Sequence, residues 1–240
     1  MTNKPFRFRQ FDIYHDRCAM KVGTDGVLLG AWCDVKDVSS ALDIGTGSGL
    51  IAIMLAQRNP ECTIDAVEID RESFLQASEN AARCPWSKRI RVHHRSFQEF
   101  CLESGRQFDL IVSNPPWFRN SLLNPDPSRS AARHAGLLET ADLIAGVTNL
   151  ITDSGKLCVI MPVPESELFM KNASVSGLWC RKITSVLPNP GKLPKRFLME
   201  FSKIKGGTEK DELVIELDRR HKYSDGFRKL TGHFYLDFRY

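Results

Sequence analysis

The sequence lacks any long apolar run, and near its N-terminus no apolar segment follows the positively charged residues. A membrane-spanning helix needs about 20 apolar residues, and a secretory leader needs a shorter apolar stretch near the N-terminus. Both absences argue against a membrane partner, and no obligate protein partner is evident. We therefore expect a cytoplasmic protein.

Cysteine and histidine are present but not in the spacings that metal or redox sites require. The seven cysteines are scattered and form no C-x-x-C pair, which excludes a zinc knuckle or a dithiol motif. The six histidines form no H-x-x-x-H pair. We expect reduced thiols and no bound metal.

Composition indicates a globular enzyme-sized chain. With 240 residues, 42% hydrophobic and 26% charged, the chain suits one α/β domain spanning residues 1–240 rather than two domains. A net charge of +4 permits a polyanionic partner without requiring one. Lysine and arginine crowd the N-terminus and the stretch around residues 192–205.

Short apolar runs alternate with helix-like runs along most of the chain. Strands are predicted at residues 41–44, 63–70, 89–93, 108–113 and 156–161, and helices at residues 24–32, 50–57 and 72–83. Two further strands, 183–187 and 196–204, flank a Pro-Gly-rich turn. This order predicts an α/β fold with a Rossmann-like, doubly wound, mostly parallel sheet and an antiparallel C-terminal hairpin at the sheet's edge. Residues 122–135 are predicted to form a long loop.

A glycine-rich segment lies between the first predicted strand and helix. Gly45, Thr46, Gly47 and Gly49 follow Asp43, and glycines there let the backbone approach a ligand closely. The spacing also fits a dinucleotide site or a simple turn. Asp43 favours S-adenosylmethionine over NAD, because its carboxylate attracts a cationic amino acid and repels a pyrophosphate.

Two later positions complete a predicted nucleoside site. Glu68, at the end of the second parallel strand, is placed to accept both ribose hydroxyls, which suits either cofactor. Ser96 and Phe97 follow the third strand and are candidates for the adenine edge and face. They are equally consistent with an ordinary turn and a core aromatic.

Asn114, Pro115, Pro116 and Trp117 follow the fourth strand, at the sheet edge where ligands bind. An exocyclic amine is a weak nucleophile, and its N–H groups need fixed acceptors. The Asn114 side-chain oxygen and the Pro115 carbonyl can supply them and stabilise the charge that develops on nitrogen. Trp117 offers a face on which a target base can stack. This segment predicts amino-nitrogen methylation.

With these motifs in place, the chain resembles the bacterial tRNA(Val) adenosine-N(6)-methyltransferase family. The resemblance covers nearly the whole chain and is carried by Phe8, Arg9, Gln10, Phe11, residues 16–32, Ala132, Arg133, His134, Tyr223, Ser224, Phe234, Tyr235 and Leu236. Trp117 departs from the commoner Tyr or Phe, and Ser96 stands where an Asp often meets the adenine.

The resemblance implies a methyltransferase fold, S-adenosylmethionine as cofactor and the anticodon loop of tRNA as partner, with adenosine 37 as target. Residues 1–33 would close over the methionine end of the cofactor on a catalytic core of residues 34–240. Lys21, Thr24 and Asp25 are the implied contacts, and Thr24 and Asp25 would also cap the helix running to Trp32. The implied RNA-binding rim contains His134 and the cations Arg7, Arg9, Arg119, Arg129, Arg133, Lys195 and Arg196.

Three alternatives stay open. A protein glutamine N5-methyltransferase uses the same acceptors but usually has a helical docking domain before the glycine loop. A DNA adenine methyltransferase should have a target-recognition insert. A protein that binds S-adenosylmethionine and RNA without turnover would not need Asn114.

Overall fold

Apolar strands that alternate with helices favour a fold in which a parallel sheet is covered by helices on both faces. A computed structural model describes residues 4–115 and 138–236. The strands are β1 Phe6–Arg7, β2 Asp12–Ile13, β3 Ser40–Ile44, β4 Thr63–Glu68, β5 Ile90–His94, β6 Phe108–Ser113, β7 Ile151–Pro162, β8 Trp179–Leu187, β9 Arg196–Ser202 and β10 Glu209–Val214. The helices are α1 Thr24–Trp32, α2 Leu50–Arg58, α3 Arg71–Arg83, α4 Phe97–Glu103, α5 Thr140–Leu150, α6 Val163–Val175 and α7 Asp225–Thr231.

The main sheet has the order β10-β8-β9-β7-β6-β3-β4-β5 within the described residues. β3 pairs in parallel with β4 on one side and with β6 on the other, so the chain reverses its winding direction between β3 and β6. Ligands of doubly wound folds bind in the crevice at such a switch point, beyond the carboxyl ends of the strands. The Rossmann-like prediction is confirmed.

Two hydrophobic clusters lie on opposite faces of the sheet. One contains apolar side chains of α1, α2, α3 and α7, together with Phe8 and Phe11 of the N-terminal segment. The other contains those of α4, α5 and α6. Strands buried on both faces explain why their sequences are continuous apolar runs rather than alternating ones. Within the described residues, no helix is long and apolar enough to cross a membrane.

The predicted hairpin exists but does not lie at the edge of the sheet. β8 and β9 pair antiparallel, and β9 pairs antiparallel with β7. β10 then adds outside β8 in parallel register, from Glu209 opposite Lys182 to Val214 opposite Leu187. The prediction of an edge hairpin was wrong because β10 is highly charged, with Glu, Lys, Asp and Glu in its first four positions. That composition is typical of an exposed edge strand and gave no apolar signal.

Candidate active site

The glycine loop, residues 45–49, turns sharply from β3 into α2. Gly45, Gly47 and Gly49 have φ of +69°, +57° and +80°, values that favour glycine because a side chain is strained there. The N–H groups of Gly45 and Thr46 donate to the Val67 carbonyl at 2.9 and 3.1 Å. A Cβ on Gly45 or Gly47 would meet no protein atom within 4 Å. The loop therefore presents bare backbone to open space, as a ligand cradle requires.

Asp43 is buried directly beneath this loop. It is 1% exposed, and its Oδ2 accepts the Thr46 hydroxyl at 2.6 Å and the Ala52 N–H at 3.1 Å. Its Oδ1 is buried with no hydrogen-bond partner among the described residues. Burial raises the pKa of this carboxyl to about 7. An unpaired buried carboxylate oxygen is costly, and a cationic ligand group with its water would satisfy it.

Glu68 is the last residue of β4, the strand next to β3, and its side chain contacts the glycine loop. Its Oε2 accepts the Gly47 N–H at 2.9 Å, and its Oε1 accepts the Asp70 N–H at 2.9 Å. Each oxygen keeps a second lone pair, so both can still accept a hydroxyl. Burial is the main cause that raises the pKa of Glu68. The carboxylate is thus fixed in orientation by the loop that it faces.

Asn80 of α3 ties the N-terminal segment to the glycine loop. Its Nδ2 donates to the Tyr14 carbonyl at 2.7 Å and to the Ser48 carbonyl at 2.8 Å, while its Oδ1 accepts the Tyr14 N–H at 3.1 Å. One helical turn earlier, Gln76 Oε1 accepts the Arg17 N–H at 3.3 Å. Sequence reasoning missed both residues, because amides on a helix look like ordinary solvent-facing positions. Asn80 is fully buried.

Lys21 stabilises the turn that leads from this segment into α1. Its ammonium donates to the carbonyls of His15 and Asp16 at 2.8 and 3.1 Å. His15 Nδ1 accepts the Val22 N–H at 2.8 Å. Burial, followed by the nearby Lys21 charge, lowers the pKa of His15, so the neutral ring that this acceptor role needs is favoured. Lys21 therefore has a local structural role.

The start of α1 differs from the predicted cap. Gly23 is the N-cap and makes no side-chain hydrogen bond, and Thr24 and Asp25 are the first helical residues. The prediction that Thr24 and Asp25 cap the helix was wrong. Asp25 Oδ2 instead accepts a hydrogen bond from Arg196 Nε at 2.9 Å. This ion pair joins the start of α1 to the start of β9.

Asn114 follows β6 at the switch point. Its Nδ2 lies 4.0 Å from the position of a Cβ on Gly26, and Leu50 lies 3.2 Å from the same position. The amide is therefore next to the first turn of α1 and the start of α2. Asn114 and Pro115 are both partly exposed. Pro116, Trp117, Arg119, Arg129, Arg133, His134 and the predicted 122–135 loop lie outside the described residues.

Ser96 and Phe97 both have clear local roles. Ser96 caps α4 through a capping box with Glu99: its hydroxyl and its N–H both donate to Glu99 Oε2, and the Glu99 N–H donates back to the hydroxyl. Phe97 is 5% exposed, and its ring lies 2.4 Å from where a Cβ on Gly146 would be. Phe97 therefore packs between α4 and α5, and a contact of either residue with adenine stays a prediction.

The remaining predicted rim residues lie on different elements of the fold, with Arg7 in β1. Arg9 donates to the Tyr235 carbonyl at 2.7 Å, which fixes it against the C-terminal segment. Lys195 is exposed at the carboxyl edge of the sheet, in the turn between β8 and β9. Within the described residues, no three His, Cys, Asp or Glu side chains are grouped as a metal site.

The fold and these geometries define a class. A doubly wound sheet with a glycine loop, a buried acid beneath it and a second buried acid at the end of the next strand is consistent with the Rossmann-like methyltransferases that use S-adenosylmethionine. Residues 23–161 match the methyltransferase small domain family. A solved structure described as a predicted O-methyltransferase from Agrobacterium tumefaciens is similar with a TM-score of 0.65 at 20% identity, covering 88% of this chain and 96% of that one. A ribosomal protein L11 methylase from Lactobacillus delbrueckii gives 0.51 at 19% identity, with 74% and 76% covered.

Relatives that match over nearly their whole length identify the family within this class of methyltransferases. The chain is 47% identical over 240 residues to a tRNA1(Val) (adenine(37)-N6)-methyltransferase of Trichodesmium erythraeum, covering 99% of this chain and 100% of the relative. Proteins of the same name from Bacteroides fragilis and Salmonella arizonae are each 45% identical, with 98% and 96% of this chain and 99% and 94% of those relatives covered. The chain belongs to the tRNA1(Val) (adenine(37)-N6)-methyltransferase family.

Proposed function

We propose that this protein transfers a methyl group from S-adenosylmethionine to the N6 amino group of adenosine 37 in the anticodon loop of tRNA(Val). The observation that carries the proposal is the position of Asn114 at the β3/β6 switch point, directly after Ser113, which pairs with Ile44, the residue before the glycine loop. The names of the full-length relatives support the RNA substrate over a protein or DNA substrate.

The cofactor would lie across the glycine loop. Glu68 accepts the two ribose hydroxyls with the free lone pairs of its oxygens. Asp43 offers Oδ1 to the cationic methionine end, directly or through water. Gly45 and Gly47 leave room for close backbone approach. When bound, S-adenosylmethionine supplies an electrophilic methyl group on a sulfonium.

The N-terminal residues 1–33 then cover this site on the catalytic core of residues 34–240. Asn80 holds Tyr14 and Ser48 together, so the covering segment and the cradle share one anchor. Lys21 and Thr24 act through the shape of the turn before α1. Asp25 acts through its ion pair with Arg196.

Asn114 and Pro115 present acceptors to the target amine. The Asn114 side-chain oxygen and the Pro115 carbonyl accept its two N–H groups and direct the nitrogen lone pair toward the methyl carbon. S-adenosylmethionine, when bound, would supply the methyl carbon to this nitrogen, with its sulfur leaving as the neutral thioether of S-adenosylhomocysteine. The nitrogen then releases its proton to water, so neither a general base nor a metal is needed. Pro116 and Trp117 follow in the sequence; Pro116 is proposed to belong to the same catalytic segment, and Trp117 is proposed to offer a ring on which the target base stacks.

The RNA approaches over a basic rim. Arg119, Arg133 and His134 follow Trp117 in the sequence and are proposed to contact the anticodon loop, together with Lys195 and Arg196. A base in a loop costs little to extrude. Because of this low cost, a small domain can take an unpaired base from the anticodon loop.

Incubation with radiolabelled S-adenosylmethionine tests the proposal. Unmodified tRNA, DNA and release-factor protein are supplied separately, and the labelled product is digested and mapped. We expect label on N6 of adenosine 37 of tRNA(Val). Label on a glutamine or on DNA, or tRNA that binds but stays unlabelled, would overturn the proposed function.

A further inference from the structure

Two turns meet at the carboxyl edge of the sheet, on the side away from β4 and β5. The first turn, residues 188–195, joins β8 to β9, and the second, residues 215–223, follows β10. β6, β7, β8 and β10 all point the same way, so both turns lie on the same edge as Asn114. At about 4.8 Å per strand, β8 and β10 are roughly 14 and 19 Å from β6.

The two turns form one continuous surface. The Ile215 and Glu216 N–H groups donate to the carbonyls of Leu187 and Pro188 at 2.9 and 3.0 Å. Asn189 Nδ2 donates to the Leu217 carbonyl at 3.0 Å. The second turn is closed on itself, because the Leu217 N–H donates to the Lys222 carbonyl at 2.7 Å. This hydrogen bond closes the base of the turn in which Arg219 and Arg220 lie.

Each turn carries exposed cations. Lys192, Lys195, Arg219 and Arg220 are exposed, and none of their side chains makes an ion pair with another described residue. The carboxylates nearby have their own contacts: Asp218 pairs with Lys222 at 2.9 Å, and Glu216 Oε1 accepts the His221 N–H at 2.8 Å. Both still lower the local positive potential, and the first turn contains no acid.

We propose that Lys192, Lys195, Arg219 and Arg220 form a phosphate-binding surface for the RNA substrate, which we call the basic turn surface. This inference rests on the proposed function for the identity of the RNA. At roughly 14 to 19 Å from Asn114 the surface is too far to touch the target base. It suits phosphates flanking the loop, where arginine and lysine position a nucleic acid without reading its sequence.

This placement assigns different tasks to neighbouring cations. Arg196 lies between the turns and Asn114, and its ion pair with Asp25 already neutralises part of the charge that it can offer to RNA. Arg219 and Arg220, which the sequence motifs did not single out, carry the free charge. The surface should therefore contribute to tRNA affinity and to its salt dependence, and not to the rate of methyl transfer once the RNA is bound.

The test compares Arg219→Ala/Arg220→Ala with a matched control, Lys36→Ala/Lys210→Ala. The control removes the same charge from exposed residues at the opposite edge, before β3 and at the start of β10. Direct binding of tRNA is measured by fluorescence anisotropy across a salt series, and methyl transfer is measured at saturating tRNA. Arg219→Lys/Arg220→Lys tests whether charge alone suffices.

We expect the alanine pair to raise the Kd for tRNA on the order of tenfold and to reduce the slope of log Kd against log salt by about 1 to 2, since each phosphate contact contributes about 0.7 to 0.9. The lysine pair and the control should stay near wild type, and transfer at saturating tRNA should be unchanged. Equal Kd and slope in the alanine pair and the control would overturn the basic turn surface. Binding without label transfer in the wild type would instead overturn the proposed function.

Discussion

Replacement of Asp43 by asparagine should stabilise the cofactor-free protein above neutral pH. The carboxyl is 1% exposed and its Oδ1 has no partner among the described residues, so ionisation is costly in the folded state. Burial raises its pKa from 3.8 to about 7. The folded state thus binds more protons than the unfolded state between these values, and stability falls as pH rises from about 4 to about 7.

The size of this effect follows from the pKa shift. A shift of about three pH units corresponds to roughly 4 kcal/mol at pH 8, at about 1.4 kcal/mol per unit. Only about two fifths of this cost has appeared at pH 5. An asparagine is neutral and can still accept one of the hydrogen bonds from Thr46 and Ala52. We therefore expect the stability advantage of Asp43→Asn to grow by about 2 to 3 kcal/mol from pH 5 to pH 8.

Urea unfolding of the two proteins at pH 5 and pH 8 measures this difference. Asp153→Asn serves as the control, because that carboxylate is 101% exposed. Calorimetry with S-adenosylmethionine should show the opposite trend, with weaker binding to Asp43→Asn and wild-type affinity that falls as pH drops below about 7. A stability difference independent of pH, or undiminished cofactor affinity in Asp43→Asn, would refute the argument.

Two further substitutions test the cradle and its anchor. Gly47→Ala places a Cβ in the ligand space at φ +57°, so it should cost about 1 to 2 kcal/mol of stability and abolish cofactor binding. The control Gly177→Ala, at φ +81° with equally open space, should cost the same stability and leave cofactor binding intact. Equal cofactor binding by the two variants would contradict the role of the glycine loop as a ligand cradle. Asn80→Ala leaves the Tyr14 and Ser48 carbonyls without this donor and should cost about 2 to 4 kcal/mol of stability. Proteolysis near Tyr14 should also become more rapid. An unchanged unfolding midpoint would show that Asn80 does not hold the N-terminal segment.

Local patterns predicted the part of the fold that is built from local signals. The runs before Gly45 and before Asn114 are apolar because both faces of β3 and β6 are buried, and the mostly parallel sheet was predictable from their alternation with helices. β10 escaped prediction because its first four residues are charged. Its place in the sheet depends on pairing with β8, which no local pattern shows.

The candidate site likewise contains residues that the sequence predicts and contacts that it does not. Asp43, Glu68 and Asn114 were predictable because each lies within two residues of the carboxyl end of a parallel strand, and such ends meet at one edge. The contacts of Asn80 with Tyr14 and Ser48, and the ion pair between Asp25 and Arg196, join residues far apart in the chain. Pairings of that kind depend on tertiary packing, so single-sequence reasoning could not find them.

Single-turnover methyl transfer by Asn114→Ala tests the central claim most directly. With tRNA(Val) and radiolabelled S-adenosylmethionine both saturating, loss of one fixed acceptor should lower the transfer rate on the order of 10²- to 10³-fold, while calorimetry shows nearly unchanged cofactor binding. Asn114→Asp, which keeps an acceptor oxygen, should retain more activity than the alanine variant. Transfer by Asn114→Ala at the wild-type rate would contradict the account, because the amine would then not depend on this acceptor.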